Sequence, residues 1–149
     1  MNFQIKKFED LTSNQIYEIL RIRSEVFVVE QNCAFQDCDN DDQNSYHIFT
    51  TDNDRIVSYL RVLKRGISYD EISIGRVLVA RDHRGKGIAK ELLIKAIKFI
   101  ENTLNECEIR ISAQEYLKEF YSSLGFEISS DMYLEDEIPH IEMFYNSAK

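Results

Sequence analysis

The sequence is short of chain breakers: 149 residues hold one proline and five glycines. No Pro/Gly/Ser-rich linker, low-complexity stretch or internal repeat occurs, so residues 1–149 read as a single domain. Cysteine is scarce and odd in number, Cys33, Cys38 and Cys107, with no C-x-x-C pair. That argues against a disulfide or zinc framework and for reduced thiols in a cytoplasm. No apolar run approaches the roughly 20 residues that span a bilayer. The first residues, Met1-Asn2-Phe3-Gln4-Ile5-Lys6-Lys7, lack the basic-then-apolar order of a secretory signal, so a cytoplasmic protein with no membrane partner is expected. Positive charge is in deficit too, 18 Lys and Arg against 26 Asp and Glu, a net charge of −8. Such a balance disfavours nucleic acid as a partner and leaves a cationic substrate, such as an amine, attracted.

What is present is ordered. Phe3 to Phe8 alternates apolar and polar as a half-buried strand does. Thr12-Ser13-Asn14-Gln15 has the spacing of a capping box and starts a helix with Ile16, Ile19, Leu20, Arg23 and Phe27 on one face. Residues 32–45 are polar and acidic and read as a loop or frayed helix. Strands are expected at residues 46–51, 55–64 and 71–80, the first two joined by the turn Asp52-Asn53-Asp54. From Ala89 the apolar positions Ala89, Leu92, Leu93, Ala96, Ile97 and Ile100 mark an amphipathic helix. A strand at 106–112, a short helix carrying Leu117, Phe120, Tyr121 and Leu124 and stopped at Gly125, and strands at 126–128 and 141–145 complete the chain. This is a mixed α/β (α+β) domain on one central, mostly antiparallel sheet of six to seven strands, with three to four helices.

The chemistry concentrates where the pattern changes. The apolar strand Ile74-Gly75-Arg76-Val77-Leu78-Val79-Ala80 leads through Arg84-Gly85-Lys86-Gly87-Ile88-Ala89 into the amphipathic helix. A helix start offers unpaired N–H groups and partial positive charge. Gly85 and Gly87 allow close approach, and Arg84 and Lys86 add full charges, so the loop is a candidate anion site. It is neither a Walker loop, G-x-x-x-x-G-K-[ST], nor a G-x-G-x-x-G dinucleotide fingerprint. Glycines that merely permit a tight turn remain an alternative reading of the loop alone. The run Asp37-Cys38-Asp39-Asn40-Asp41-Asp42 opens like a calcium loop, but its sixth position is Asp42 and its twelfth Ile48, so no metal site is expected. It reads as a solvated loop beside an acceptor site.

With strand, loop and helix in place, the segment resembles motif A of the GNAT superfamily of N-acetyltransferases, [QR]-x-x-G-x-[GA], through Arg84, Gly87 and Ala89. Phe120-Tyr121-Ser122-Ser123-Leu124-Gly125-Phe126 is similar to a second element of that superfamily. Val26 to Cys33, Phe35-Gln36-Asp37, Ile74 to Val77, Ala113-Gln114 and the tail Glu135 to Ile141 are similar to its ElaA-like branch, over almost the whole chain from about Leu11 to Met143. The tail departs from the branch at Glu137, where a glycine is expected.

The resemblance implies an acetyl-CoA-dependent N-acetyltransferase that moves an acetyl group to a primary amine of a small-molecule acceptor by direct attack in a ternary complex. It implies a pyrophosphate grip at Arg84, Gly85, Lys86, Gly87, Ile88 and Ala89, with Val77, Leu78 and Val79 as the strand end. Leu78 and Val79 would bond the pantetheine as an added strand, and a backbone N–H near Val79 would polarise the carbonyl. Tyr121 is the candidate acid, a phenol near pKa ~10 protonating a thiolate near ~8.5; on an apolar stripe it also suits a core position. The base is open among Glu30, His47, Glu137 and His140, with His140 and Glu30 preferred and His47 reading as structural. Arg61 and Arg76 either hold a substrate carboxylate or pair with acids such as Glu30. A homodimer is compatible with the superfamily. The alternative on the same residues is a non-catalytic module that binds or senses acyl-CoA.

Overall fold

The structure is a computed structural model that describes residues 1–148. Eight strands and three α-helices lie among them: β1 (Asn2–Lys7), α1 (Ser13–Arg23), β2 (Ser45–Asp52), β3 (Arg55–Leu63), β4 (Ser73–Val79), α2 (Ile88–Asn102), β5 (Glu108–Gln114), α3 (Lys118–Ser122), β6 (Glu127–Ile128), β7 (Tyr133–Glu135) and β8 (Ile138–Asn146). The order follows the sequence pattern closely. The Thr12 capping box forms, with Gln15 N–H donating to Thr12 Oγ1 at 3.1 Å and Thr12 N–H to Gln15 Oε1 at 2.9 Å. The β2–β3 turn places both Asn53 (φ 51°) and Asp54 (φ 64°) in the left-handed region, as a tight hairpin of matching twist requires. Gly125 ends the α3 segment at φ 101°, and a Cβ there would meet Tyr145 at 3.1 Å.

The expectation of one continuous sheet is corrected. Two four-stranded antiparallel sheets form instead, β1-β2-β3-β4 and β5-β8-β6 with β7 also on β8. Among the described residues they join where Ile72 bridges Ile109 in parallel, with Arg110 N–H donating to Ile72 C=O at 2.9 Å. Beyond that point β4 and β5 diverge. The β7 strand, absent from the sequence-based expectation, is three residues long and too short to show a period.

Two apolar layers hold the sheets. On one face α2 packs Leu92, Leu93, Ala96, Ile97 and Ile100 against Leu60, Val62, Ile74, Ile109 and Ile111. On the other, α1 and its π-helical continuation Ser24–Glu30 pack Ile19, Ile22 and Val26 against Phe49, Val57, Tyr59 and Leu78. Alternation along β3 sends Val57 and Tyr59 to one layer and Leu60 and Val62 to the other. Each fully buried aliphatic side chain contributes about 1.5–3 kcal/mol, so the α2 stripe anchors the helix whose first turn borders the site.

Candidate active site

The divergence of β4 and β5 opens a cavity of about 740 Å³. Gly75, Arg76 and Val77 line one wall and Ser112, Ala113 and Gln114 the other. A bulge shapes the β4 wall: the register passes from Tyr59↔Leu78 to Arg61↔Gly75, leaving one extra residue on β4. Arg76 sits there at φ 55°, a conformation costing a non-glycine residue about 1–2 kcal/mol. Its guanidinium offsets that strain, donating from Nε to Asp37 Oδ1 at 2.8 Å and from Nη2 to Asp37 C=O at 2.9 Å.

Backbone polarity along β4 follows from the register. Ala80 N–H donates to Val57 C=O at 2.7 Å and Leu78 lies opposite Tyr59, so the Leu78 peptide groups face β3. Those of Val79, one residue on, face the opening. The expectation that Leu78 offers its backbone to a ligand is therefore corrected: its peptide groups are turned to β3 and its side chain belongs to the α1 layer.

Between β4 and α2 lies the glycine loop. Gly85 (φ 79°) and Gly87 (φ 76°) both need left-handed backbone, and nothing lies within 4 Å of a Cβ built on either. Gly87 caps α2 without a side chain, and the first helical bond runs from Glu91 N–H to Gly87 C=O at 3.1 Å. The N–H groups of Ile88, Ala89 and Lys90 therefore have no partner within the helix. An open glycine cradle, orphan donors and the exposed Lys86 fit a pyrophosphate.

Arg84 is not free for that task in this structure. Its Nη1 and Nη2 donate to the two Glu30 carboxylate oxygens at 2.6 and 3.0 Å, and its Nε to Val79 C=O at 2.9 Å. The same bonds remove Glu30 from the bases: Arg84 holds its carboxyl below the usual carboxylate range, which weakens it as a proton acceptor.

Tyr121 and His140 meet the cavity from α3 and β8. Tyr121 is 6% exposed, and burial pushes its phenol well above the ordinary value, so it stays protonated. Its hydroxyl has no hydrogen-bond partner among the described residues. His140 donates from Nδ1 to Ile138 C=O at 2.7 Å, which leaves Nε2 as the proton-accepting nitrogen of the neutral ring. Glu135 Oε2 lies 3.3 Å from Nε2, where it pairs with opposite charge once the ring is protonated. The Tyr133 ring stacks on His140 with centroids 6.2 Å apart.

His47 is structural. Burial lowers its proton affinity, Nε2 donates to Asp42 C=O at 2.9 Å, and Nδ1 accepts from Tyr59 Oη at 2.7 Å. Glu137 is exposed in the β7–β8 turn, where Asp136 (φ 50°) and Glu137 (φ 65°) both adopt left-handed backbone. The position where the branch pattern has glycine thus keeps a glycine-like conformation.

Of the two readings of Arg61 and Arg76, pairing with acids holds, the partners being aspartates and not Glu30. The acidic run is therefore not the solvated loop expected. Asp37, Asp39 and Asp42 close a cluster with Arg23, Arg61 and Arg76 beside the cavity, which Asp39, Arg61 and Arg76 line. The β5–β8–β7 pairing also brings Ser112, Tyr133 and Glu135 beside His140. No local pattern marks them, because β7 alone positions two of the three.

A bulged strand, a splay beside it and a helix N-terminus open to a pyrophosphate define an acyl-CoA-dependent acyltransferase. The chain belongs to the GNAT family: the profile of the Acetyltransferase (GNAT) domain matches residues 8–146. It is similar to Protein ElaA of Escherichia coli K12, 38% identical over 136 residues, 90% of this chain and 89% of that one. The solved structure of Escherichia coli ElaA superposes with a TM-score of 0.90 at 35% identity, covering 98% of this chain and 100% of that one. An acyl-CoA N-acyltransferase from Pseudomonas aeruginosa superposes with a TM-score of 0.92 at 33% identity, covering 97% and 99%. An aminoglycoside 6′-N-acetyltransferase complexed with coenzyme A shares the fold, with a TM-score of 0.72 at 14% identity and 96% of each chain covered.

Proposed function

We propose that this acyltransferase, in one domain spanning the chain, moves the acetyl group of acetyl-CoA to a primary amine of a small molecule by direct attack in a ternary complex. The observation that carries the reading is the β4–β5 splay, with an unpartnered Tyr121 hydroxyl and the His140 Nε2 on its walls, followed in the chain by the orphan donors of α2 beyond the end of β4. Gly85, Gly87, Ile88 and Ala89 bind the pyrophosphate by backbone N–H, and Lys86 adds charge. Val77 and Val79 line the thioester arm along the open edge of β4, and the Val79 side of the bulge supplies the N–H that polarises the carbonyl. The His140 Nε2 takes the proton of the incoming amine. Tyr121 gives its proton to the departing thiolate.

Two measurements test this. Coenzyme A and acetyl-CoA should raise the melting temperature far more than ATP or NAD, because they bind only the folded protein. Thiol release from acetyl-CoA across a panel of amines should show turnover, and Tyr121→Phe should lower kcat about a hundredfold with coenzyme A affinity unchanged. No shift with either coenzyme, or no thiol release with any amine, would defeat the proposal.

A further inference from the structure

The assignments above leave the carboxylate of Glu135 without a role. The guanidiniums on the acceptor side of the cavity are already matched, Arg61 to Asp39 and Asp42, Arg76 to Asp37 and Asp39. Glu135 has no such partner. One of its oxygens accepts from Ser112 Oγ at 3.3 Å, and the other lies 3.3 Å from His140 Nε2. Its side chain is 52% exposed and forms part of the cavity wall. The support beneath it is firm: Ser112 is hydrogen-bonded to Tyr133 Oη, and Cys33 Sγ approaches the Asp136 carbonyl at the neighbouring turn. A carboxylate held on one oxygen, presented to the cavity on the other and unmatched by any guanidinium, suits a cationic ligand.

We propose that Glu135 receives the acceptor in its ammonium form, and that this ammonium then gives its proton to His140 Nε2. The inference rests on the amine-acceptor reading with His140 as base. In the step, the ammonium N–H bond breaks and the Nε2–H bond forms. The electron pair left on the acceptor nitrogen attacks the thioester carbonyl, the C–S bond breaks as Tyr121 protonates the thiolate, and the second N–H proton of the acceptor returns to the Tyr121 phenolate. The positive charge passes from ammonium to imidazolium, and Glu135 adjoins both positions, so one carboxylate faces the charge before and after the transfer. An ionised carboxylate has no proton to donate, so Glu135 does not itself occupy the Nε2 lone pair. The substrate class follows: alkylamines, charged at neutral pH, gain from Glu135, whereas an arylamine such as aniline, uncharged there, does not.

Steady-state thiol release at saturating acetyl-CoA tests this, with the alkylamine turned over fastest in the panel and with aniline. Glu135→Gln should raise KM for the alkylamine about tenfold or more, the scale of a lost charge-assisted hydrogen bond. It should leave KM for acetyl-CoA and for aniline unchanged, and Glu135→Asp, which keeps the charge, should recover part of the loss. His140→Gln should instead lower kcat about a hundredfold. The rise in melting temperature with coenzyme A certifies that each variant is folded. If Glu135→Gln leaves the alkylamine KM unchanged, or raises the aniline KM equally, the role of Glu135 is overturned while the base assignment stands. If His140→Gln leaves kcat intact, the base assignment falls and takes this inference with it.

Discussion

Arginine meets carboxylate at two places along β4, one gathered at its bulge and the other beyond its end. At the bulge, Arg23, Arg61 and Arg76 interlock with Asp37, Asp39 and Asp42, and Arg23 is wholly buried. Three positive and three negative groups cancel, and each partner has more than one bond. Beyond the strand, a single pair joins Arg84 to Glu30, with the Arg84 side chain 39% exposed. The two assemblies share their chemistry and differ in depth and connectivity. The buried cluster is closed, so losing one member strands the rest in a medium that cannot solvate them. The exposed pair is open to water, so its members can exchange partners at low cost. The first fixes the wall of the cavity; the second sits beside the loop proposed to bind the pyrophosphate.

The sharpest break of that comparison is Asp42→Asn. Asp42 Oδ1 accepts from Arg23 at 2.7 Å and from Arg61 at 2.8 Å, so the substitution leaves two buried guanidiniums short of charge. Urea denaturation at neutral pH should show a loss of about 3–5 kcal/mol. A loss near the surface-pair scale of ~1 kcal/mol or less would mean that the cluster is no more than a set of exposed bridges.

Acid offers a second, smaller break. Burial alone would raise the Asp39 and Asp42 carboxyls, but hydrogen bonds from Arg61 and Arg23 outweigh it and hold both below the ordinary range. The folded state therefore binds fewer protons than the unfolded one, whose aspartates titrate near pH ~4. The stabilisation is complete above that value and is lost as pH falls below it towards the folded values. Urea midpoints recorded from pH 7 downward should be level to about pH 5 and then fall. Asp39→Asn should start lower and fall less steeply. An equal slope in variant and wild type would remove Asp39 from the titrating set.

The difference between the two assemblies also sorts what the sequence could tell. Helix α2 was legible because six apolar residues repeat on one face, although Ile88, not Ala89, is its first buried member. The glycine loop was legible because strand, glycines and helix are contiguous. Neither arginine assembly was, since Arg84 and Glu30 lie 54 residues apart and Arg76 and Asp37 lie 39 apart. Read locally, Asp37 to Asp42 is a polar run, and only the folded chain brings three guanidiniums to it. The separate behaviour of Leu78 and Val79 depends on which β4 peptides face β3, which composition does not encode. One signal was available: a glycine inside an apolar strand, Gly75, marks a bulge. Glu135 lies in the branch-specific tail with no local signal of a role, because its neighbours Ser112 and His140 arrive through β5–β8–β7 pairing.

The smallest effect falls on the exposed pair, through Glu30→Gln. On the proposed function, coenzyme A competes with Glu30 for the Arg84 guanidinium, since both Nη atoms are engaged by that carboxylate. A neutral amide holds Arg84 more weakly and restores one full positive charge to the glycine loop. Arg84 stays near the loop through its Nε bond to Val79 C=O, so release from Glu30 need not disorder it. Calorimetric titration with coenzyme A should therefore show tighter binding in the variant, by up to about fivefold, because exposed pairs contribute ~1 kcal/mol or less. The gain should shrink as salt is raised and added charge is screened. Weaker binding in Glu30→Gln would reverse the roles: Glu30 would then be holding Arg84 in its binding pose, and the exposed pair would be as structural as the buried cluster.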